Sequence, residues 1–173
     1  MEKFQELRDA ANKKLQLANH MLTMTYPIVK DPKLLLSVIE NLFLAFTYSM
    51  SSLLYYEMLF KRIPPFPDNF ASKFELFKDK CLKKHNIDNE YPKIIREIKE
   101  IIISHKKSPM EFSRNDSLII CNENYRMKTL SANMIHDYMQ KAKLFIKNVS
   151  TIVSEDEYIY LDKTYTMKAV SGC

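Results

Sequence analysis

The chain has 173 residues, 46% of them hydrophobic, a formal net charge of +5 and one glycine, Gly172. That length fits one domain, and that apolar share excludes a disordered chain. With no glycine in residues 1–171, a glycine-rich phosphate loop is excluded, and with it P-loop enzymes, Rossmann dehydrogenases and kinases of the usual kinds.

The same scarcity argues against a β-sandwich or barrel, whose tight turns need residues at positive φ. Cys81, Cys121 and Cys173 are too few and too widely spaced for a disulfide framework or a zinc cluster, and read as reduced thiols. The opening MEKFQELRDAANKK is charged and has no apolar h-region. Both features imply a cytoplasmic protein without a signal peptide. The uncharged run Asn41–Tyr56 is broken by polar residues and is shorter than the roughly 20 residues a bilayer needs. It reads as a buried helix, so no membrane partner is expected.

In chain order, helix 1 is expected from about Glu2 to Tyr26. Its stripe is Phe4, Leu7, Ala11, Leu15, Ala18, Met21 and Leu22, and Pro27 should end it. Asp31-Pro32 opens helix 2, which should run to about Arg62 before Pro64-Pro65. Helix 2 is apolar on nearly every face, so its own chain or a partner must surround it. Its row Ala45, Ser49 and Ser52 would admit another helix closely, which points to a homodimer. Helix 3 starts at Asp68 or Asn69 and ends near His85, burying Phe70, Phe74, Phe77 and Cys81. Helix 4 opens at Pro92 and ends near Lys107, with Ile94, Ile95, Ile98, Ile101 and Ile102 inward.

Residues 108–116 read as a loop. SLIIC, a polar NEN and YRMKTL then form a short β-hairpin at about 117–130 that must lean on the helices. Ser131 caps helix 5, whose stripe runs from Ile135 to Val153 with a clear 3.6-residue period. The expected fold is therefore mainly all-α. It is a five-helix antiparallel bundle with a small β-hairpin before the last helix, filling residues 1–154. The tail 155–173 is either a small hairpin or disordered.

No constellation of catalytic residues emerges, and no cofactor or metal is implied. None of His20, His85, His105 and His136 follows a glutamate by three positions, as a carboxylate-bridged metal bundle requires. There is no HExxH, no CxxC and no G-x-S-x-G elbow. His20 reads as a partly buried structural residue. His85 and His105 sit near helix C-termini, where the dipole favours a cation. His136 should be exposed.

The runs TYPIVKDPKLLLSVIENLF, LLYYEMLFKRIPPF and HKKSPMEFSR…LIIC resemble a group of archaeal helical proteins over about residues 5–152. No activity comes with that resemblance. More broadly, a long first helical hairpin followed by a further helix pair resembles the HEPN superfamily. Its members are helical bundles, usually homodimers, that often act on or bind RNA. The ribonuclease motif of that superfamily is Arg, four to six residues, then His. Arg96 and His105 are separated by eight residues, and Arg126 and His136 by nine, so no catalytic residue is carried over. The resemblance therefore implies a non-enzymatic homodimer that binds RNA or an RNA-associated complex. An adaptor for a protein partner and a ribonuclease with an unrecognised site are the alternatives.

Charge bears on the choice. Between Lys61 and Arg114 stand 13 Lys/Arg and 8 Asp/Glu, so the whole excess of +5 lies there. The candidate nucleic-acid contacts are Arg62, Lys83, Lys84, Lys106, Lys107 and Arg114, joined on the hairpin by Arg126 and Lys128. Solvated helix faces are the plainer reading of the same charges. Aromatic residues do not interleave with these cations as in a stacking platform. Helices 3 and 4 should be antiparallel neighbours, which puts Lys83-Lys84 and Lys106-Lys107 at opposite ends, roughly 20 Å apart.

Overall fold

The structure, a computed structural model, describes residues 1–155. The predicted tail lies outside them, apart from Glu155. The protein is mostly helical, with a small antiparallel sheet before the last helix. The helices are α1 (Lys3–His20), α2 (Tyr26–Val29), α3 (Leu34–Leu59), α4 (Phe70–Leu76), α5 (Leu82–Lys84), α6 (Glu90–Lys107) and α7 (Ala132–Glu155). The strands are β1 (Met110–Arg114), β2 (Ser117–Cys121) and β3 (Met127–Ser131).

The long apolar α3 is the centre, as its composition requires. Glu40 is its only fully exposed residue. By length and composition Leu34–Leu59 could cross a membrane, with a mean hydropathy of 1.4 in its most apolar 18-residue window. Here α1, α6 and α7 pack around it. α1 runs back along it, so that Ser52 Oγ donates to Phe4 O at 2.7 Å while Asn41 Nδ2 lies 3.9 Å from Met21 Sδ at the other end. The small row Ala45, Ser49 and Ser52 is buried, as are the facing alanines Ala11 and Ala18. The close approach that this row permits is therefore made by α1 of the same chain.

Several boundaries differ from those expected, each for a local reason. Helix 1 does not stop at Tyr26. A π-helical turn, Met21–Thr25, lets Tyr26 N–H donate to Met21 O, and the chain continues through Pro27 to Val29. The wider turn changes the bonding register just where proline lacks an N–H, so the break falls at Lys30 instead. A second π turn, Phe77–Cys81, joins α4 to α5 within the predicted helix 3. α3 ends at Leu59 rather than Arg62. Lys61 is left-handed, Arg62 N–H donates to Glu57 O at 2.9 Å and Lys61 N–H to Met58 O at 3.0 Å. That is a Schellman closure made without glycine. His20, expected partly buried, is exposed.

Among the described residues, six non-glycine residues at positive φ, namely Lys30, Lys61, Asn86, Asn115, Asp116 and Tyr125, do the work glycine usually does. Asparagine and aspartate tolerate this region better than lysine or tyrosine, and Lys61 holds it at the Schellman closure of α3, where glycine is the usual residue. Lys61→Gly should raise stability by about 0.5–1 kcal/mol, the removed strain being partly offset by a freer unfolded chain. Chemical denaturation would show it as a later midpoint. An unchanged or earlier midpoint would contradict strain at Lys61.

The largest correction concerns residues 108–116. They do not form a loop. Met110–Arg114 is a strand paired to β2, and the sheet is three-stranded in the order β1-β2-β3. The two-residue turn Asn115-Asp116 joins β1 to β2, with both residues at positive φ as a type I′ hairpin demands. The sheet packs against α6 and α7 through Leu118, Ile120 and Leu130, all buried.

Candidate nucleic-acid interface

Strand register sorts the sheet residues onto two faces, because partners in an antiparallel pair point the same way. The helix-facing side carries the rows Glu111, Ile120, Lys128 and Ser113, Leu118, Leu130. The outer side carries Met110, Cys121, Met127, then Phe112, Ile119, Thr129, then Arg114, Ser117, Ser131. This outer side is apolar yet open. Met110 is 61% exposed, Met127 67% and Phe112 41%.

The eight candidate cations are all exposed, but they divide. Arg62 and Lys84 are ion-paired to Glu57, and Lys128 lies 3.7 Å from Glu100 of α6. Lys128 thus stands on the helix-facing side while its neighbour Met127 faces solvent. Among the described residues, Lys83, Lys106, Lys107, Arg114 and Arg126 make no ion pair. Lys83 belongs with Lys84 and Arg62 near the start of α6. Lys106 and Lys107 end α6, whose 18 residues span about 26 Å. The eight residues therefore do not form one patch: Arg62, Lys83 and Lys84 lie near the start of α6, Lys106, Lys107 and Arg126 at one end of the sheet, Arg114 at its other end, and Lys128 against Glu100.

The second group gathers at one end of the sheet. Ser108, next to Lys107, donates from Oγ to Cys121 O at 2.6 Å. Asn122 then organises the β2–β3 loop. Its N–H donates to Arg126 O at 2.9 Å, and its Oδ1 accepts from Asn124 N–H at 3.0 Å and Arg126 N–H at 2.8 Å. This fixes the backbone of Arg126 at the end of the sheet, next to Met127, and leaves Tyr125, at φ 57, 89% exposed. Arg114 closes the opposite end of the outer face. Tyr26 Oη donates to Asp116 O at 3.2 Å there and holds the hairpin tip against α2.

One aromatic and one basic side chain do share the outer face, Phe112 and Arg114 of β1. Phe112 and Arg114 are two apart on one strand, and Tyr125 and Arg126 are adjacent. The signals were the F-x-R spacing and the Tyr-Arg pair. The first was hidden because 108–116 reads as a loop.

A second charged cluster is buried. Glu57, 1% exposed, accepts from His85 Nε2 at 2.9 Å, from Arg62 at 3.3 Å and from Lys84. Burial alone would push its carboxyl up, but the hydrogen bonds and charges of His85 and Lys84 outweigh that and hold it at about 2. The Arg62 guanidinium also lies 4.9 Å from the Phe60 ring centroid. Cys81 is buried close by. Burial, with the charge of Glu57, pushes its thiol up to about 12, so it is no nucleophile. Beneath the sheet, His105 Nδ1 donates to Glu111 Oε1 at 2.5 Å. Both histidines thus have carboxylate partners, where the sequence suggested only helix-end placement. Among the described residues, no group of three or more His, Cys, Asp or Glu side chains is placed to hold a metal ion.

No protein-family model, curated protein or solved structure matches this chain.

Proposed function

We propose that the protein is a non-enzymatic, cytoplasmic RNA-binding bundle of the HEPN-like kind, with its helices antiparallel throughout. The observation that carries this reading is the group Lys106, Lys107 and Arg126. These are three exposed cations that have no carboxylate partner among the described residues, at the sheet end beside α6. Cations left unpaired on a surface suit a polyanion, since each phosphate neutralised releases condensed counterions. A protein adaptor is the second reading, favoured by the exposed Met110 and Met127, because methionines adapt to many apolar partners.

The test is binding of generic RNA at low and at physiological salt. Affinity should fall steeply with salt. The triple change Lys106→Glu, Lys107→Glu and Arg126→Glu should weaken low-salt binding at least about tenfold and lower the salt slope by about 2. Its melting temperature should stay within a few degrees, because all three are surface residues. Absence of binding even at low salt would overturn the RNA reading and leave the adaptor first. A raised 260/280 nm absorbance ratio of the purified protein is a sensitive first check, because the chain has no tryptophan.

A further inference from the structure

We infer that the outer face of the sheet is a platform for unpaired bases, so that the RNA bound is single-stranded. This rests on the RNA reading and adds the form of the ligand and the side chains that select it. Phosphate contacts alone do not distinguish single strands from duplexes. Exposed rings do, because bases stacked inside a duplex have no free π-face to offer, whereas splayed bases stack on aromatic side chains regardless of sequence.

The geometry provides both elements of such a surface. Phe112 stands on the open face, and Ile119 in register behind it closes the apolar floor. Met110 and Met127 line the same face, and the loop built on Asn122 holds the backbone of Tyr125 at the sheet's end with its ring open to solvent. Arg114 shares the outer face with Phe112 at one end, and the chain brings Lys106, Lys107 and Arg126 to the other end of the sheet. The five-residue strands are roughly 13 Å long between these ends. That span fits two or three nucleotides of an extended strand, with backbone on the cations and bases on the floor between. The charge complementarity of this rim selects a polyanion as the occupant over an apolar helix or a second, equally basic copy of the chain.

The experiment compares an oligouridine of about ten nucleotides with an RNA duplex of equal length, at fixed low salt. Phe112→Trp gives the chain its one tryptophan as a stacking reporter. The oligouridine should quench it, and the duplex should not. Tyr125→Ala and Phe112→Ala should each weaken oligouridine binding roughly five- to a hundredfold. Duplex binding should change little. Phe112→Tyr, which keeps a ring, should restore affinity. Tyr125 is exposed enough that its removal leaves the fold intact, so a folding defect in Phe112→Ala does not spoil the test.

Equal binding of duplex and single strand, with no loss in the alanine variants, would overturn this inference and leave RNA binding standing. Absence of any RNA binding would overturn both. Light scattering at two chain masses, returned to one mass by Met127→Lys, would make the face a self-association surface and would also overturn it.

Discussion

Glu57→Ala should destabilise the protein by about 3–5 kcal/mol, the cost of removing one partner from a buried ionic cluster. Glu57 sits in the last turn of α3, where the helix dipole disfavours a carboxylate, and no water-accessible position is open to it. It persists because three nitrogen donors from two separate helix ends converge on it. Arg62 arrives through the closure at Lys61, and Lys84 and His85 through the end of α5. The cluster thereby ties the two helix ends together. The lower half of the range is expected, since Lys84 and Arg62 are partly exposed and rehydrate when Glu57 is lost.

Acid distinguishes this account from simple loss of packing. The folded carboxyl is held at about 2, against an ordinary value of 4.5, so the unfolded chain takes up the proton first. The stabilisation is complete above about pH 4.5 and is lost as the pH falls toward 2, and it amounts to roughly 3 kcal/mol. Glu57→Gln keeps the shape and has no such dependence. The stability gap between the parent protein and Glu57→Gln should therefore be wide at pH 7 and narrow markedly by pH 2–3. Urea denaturation at the two pH values measures it. A gap independent of pH would show that the charge of Glu57 does not stabilise the fold.

The helices were legible because their causes are local. The stripe of α7 from Ile135 to Val153 is inward as its period requires, and Asn69 caps α4 through Ser72 N–H at 2.9 Å. β1 was not legible. Its turn is Asn115-Asp116 rather than a glycine pair, and only pairing with β2 decides that Met110, Phe112 and Arg114 share a face. Scarcity of glycine argues against a β-sandwich or barrel, but it does not exclude single tight turns, because asparagine, aspartate, lysine and tyrosine enter the left-handed region here in its place. The Glu57 cluster joins residues up to 28 apart in sequence, and no periodicity points to it. The charge excess was visible, but its division into paired and unpaired cations depends on where Glu57 and Glu100 lie.

The other large effect belongs to Phe145. Its ring lies 5.6 Å from Phe46 of α3, 5.9 Å from Phe77 in the second π turn and 5.0 Å from Tyr91 of α6. One side chain of α7 thus joins three other helical segments, and it is fully buried. Phe145→Ala should cost about 3–5 kcal/mol from lost burial and the cavity left behind. The upper end is expected, because three aromatic contacts are lost together. In a domain of this size that lowers the melting temperature by roughly 6–20 °C. Phe46→Ala should cost less within the same range, since among the described residues its ring meets one aromatic neighbour, Phe145, rather than three across the fold. Leu144→Ala is the control. It is adjacent on the same helix but 59% exposed, so its effect should stay within about 0.5 kcal/mol. Thermal melts of the three variants decide the matter. If Phe145→Ala melted within 2 °C of the parent protein, α7 would not be packed on α3 and α6 through this ring. The sheet, which leans on α6 and α7, would then lose the rigid support that fixes its outer face.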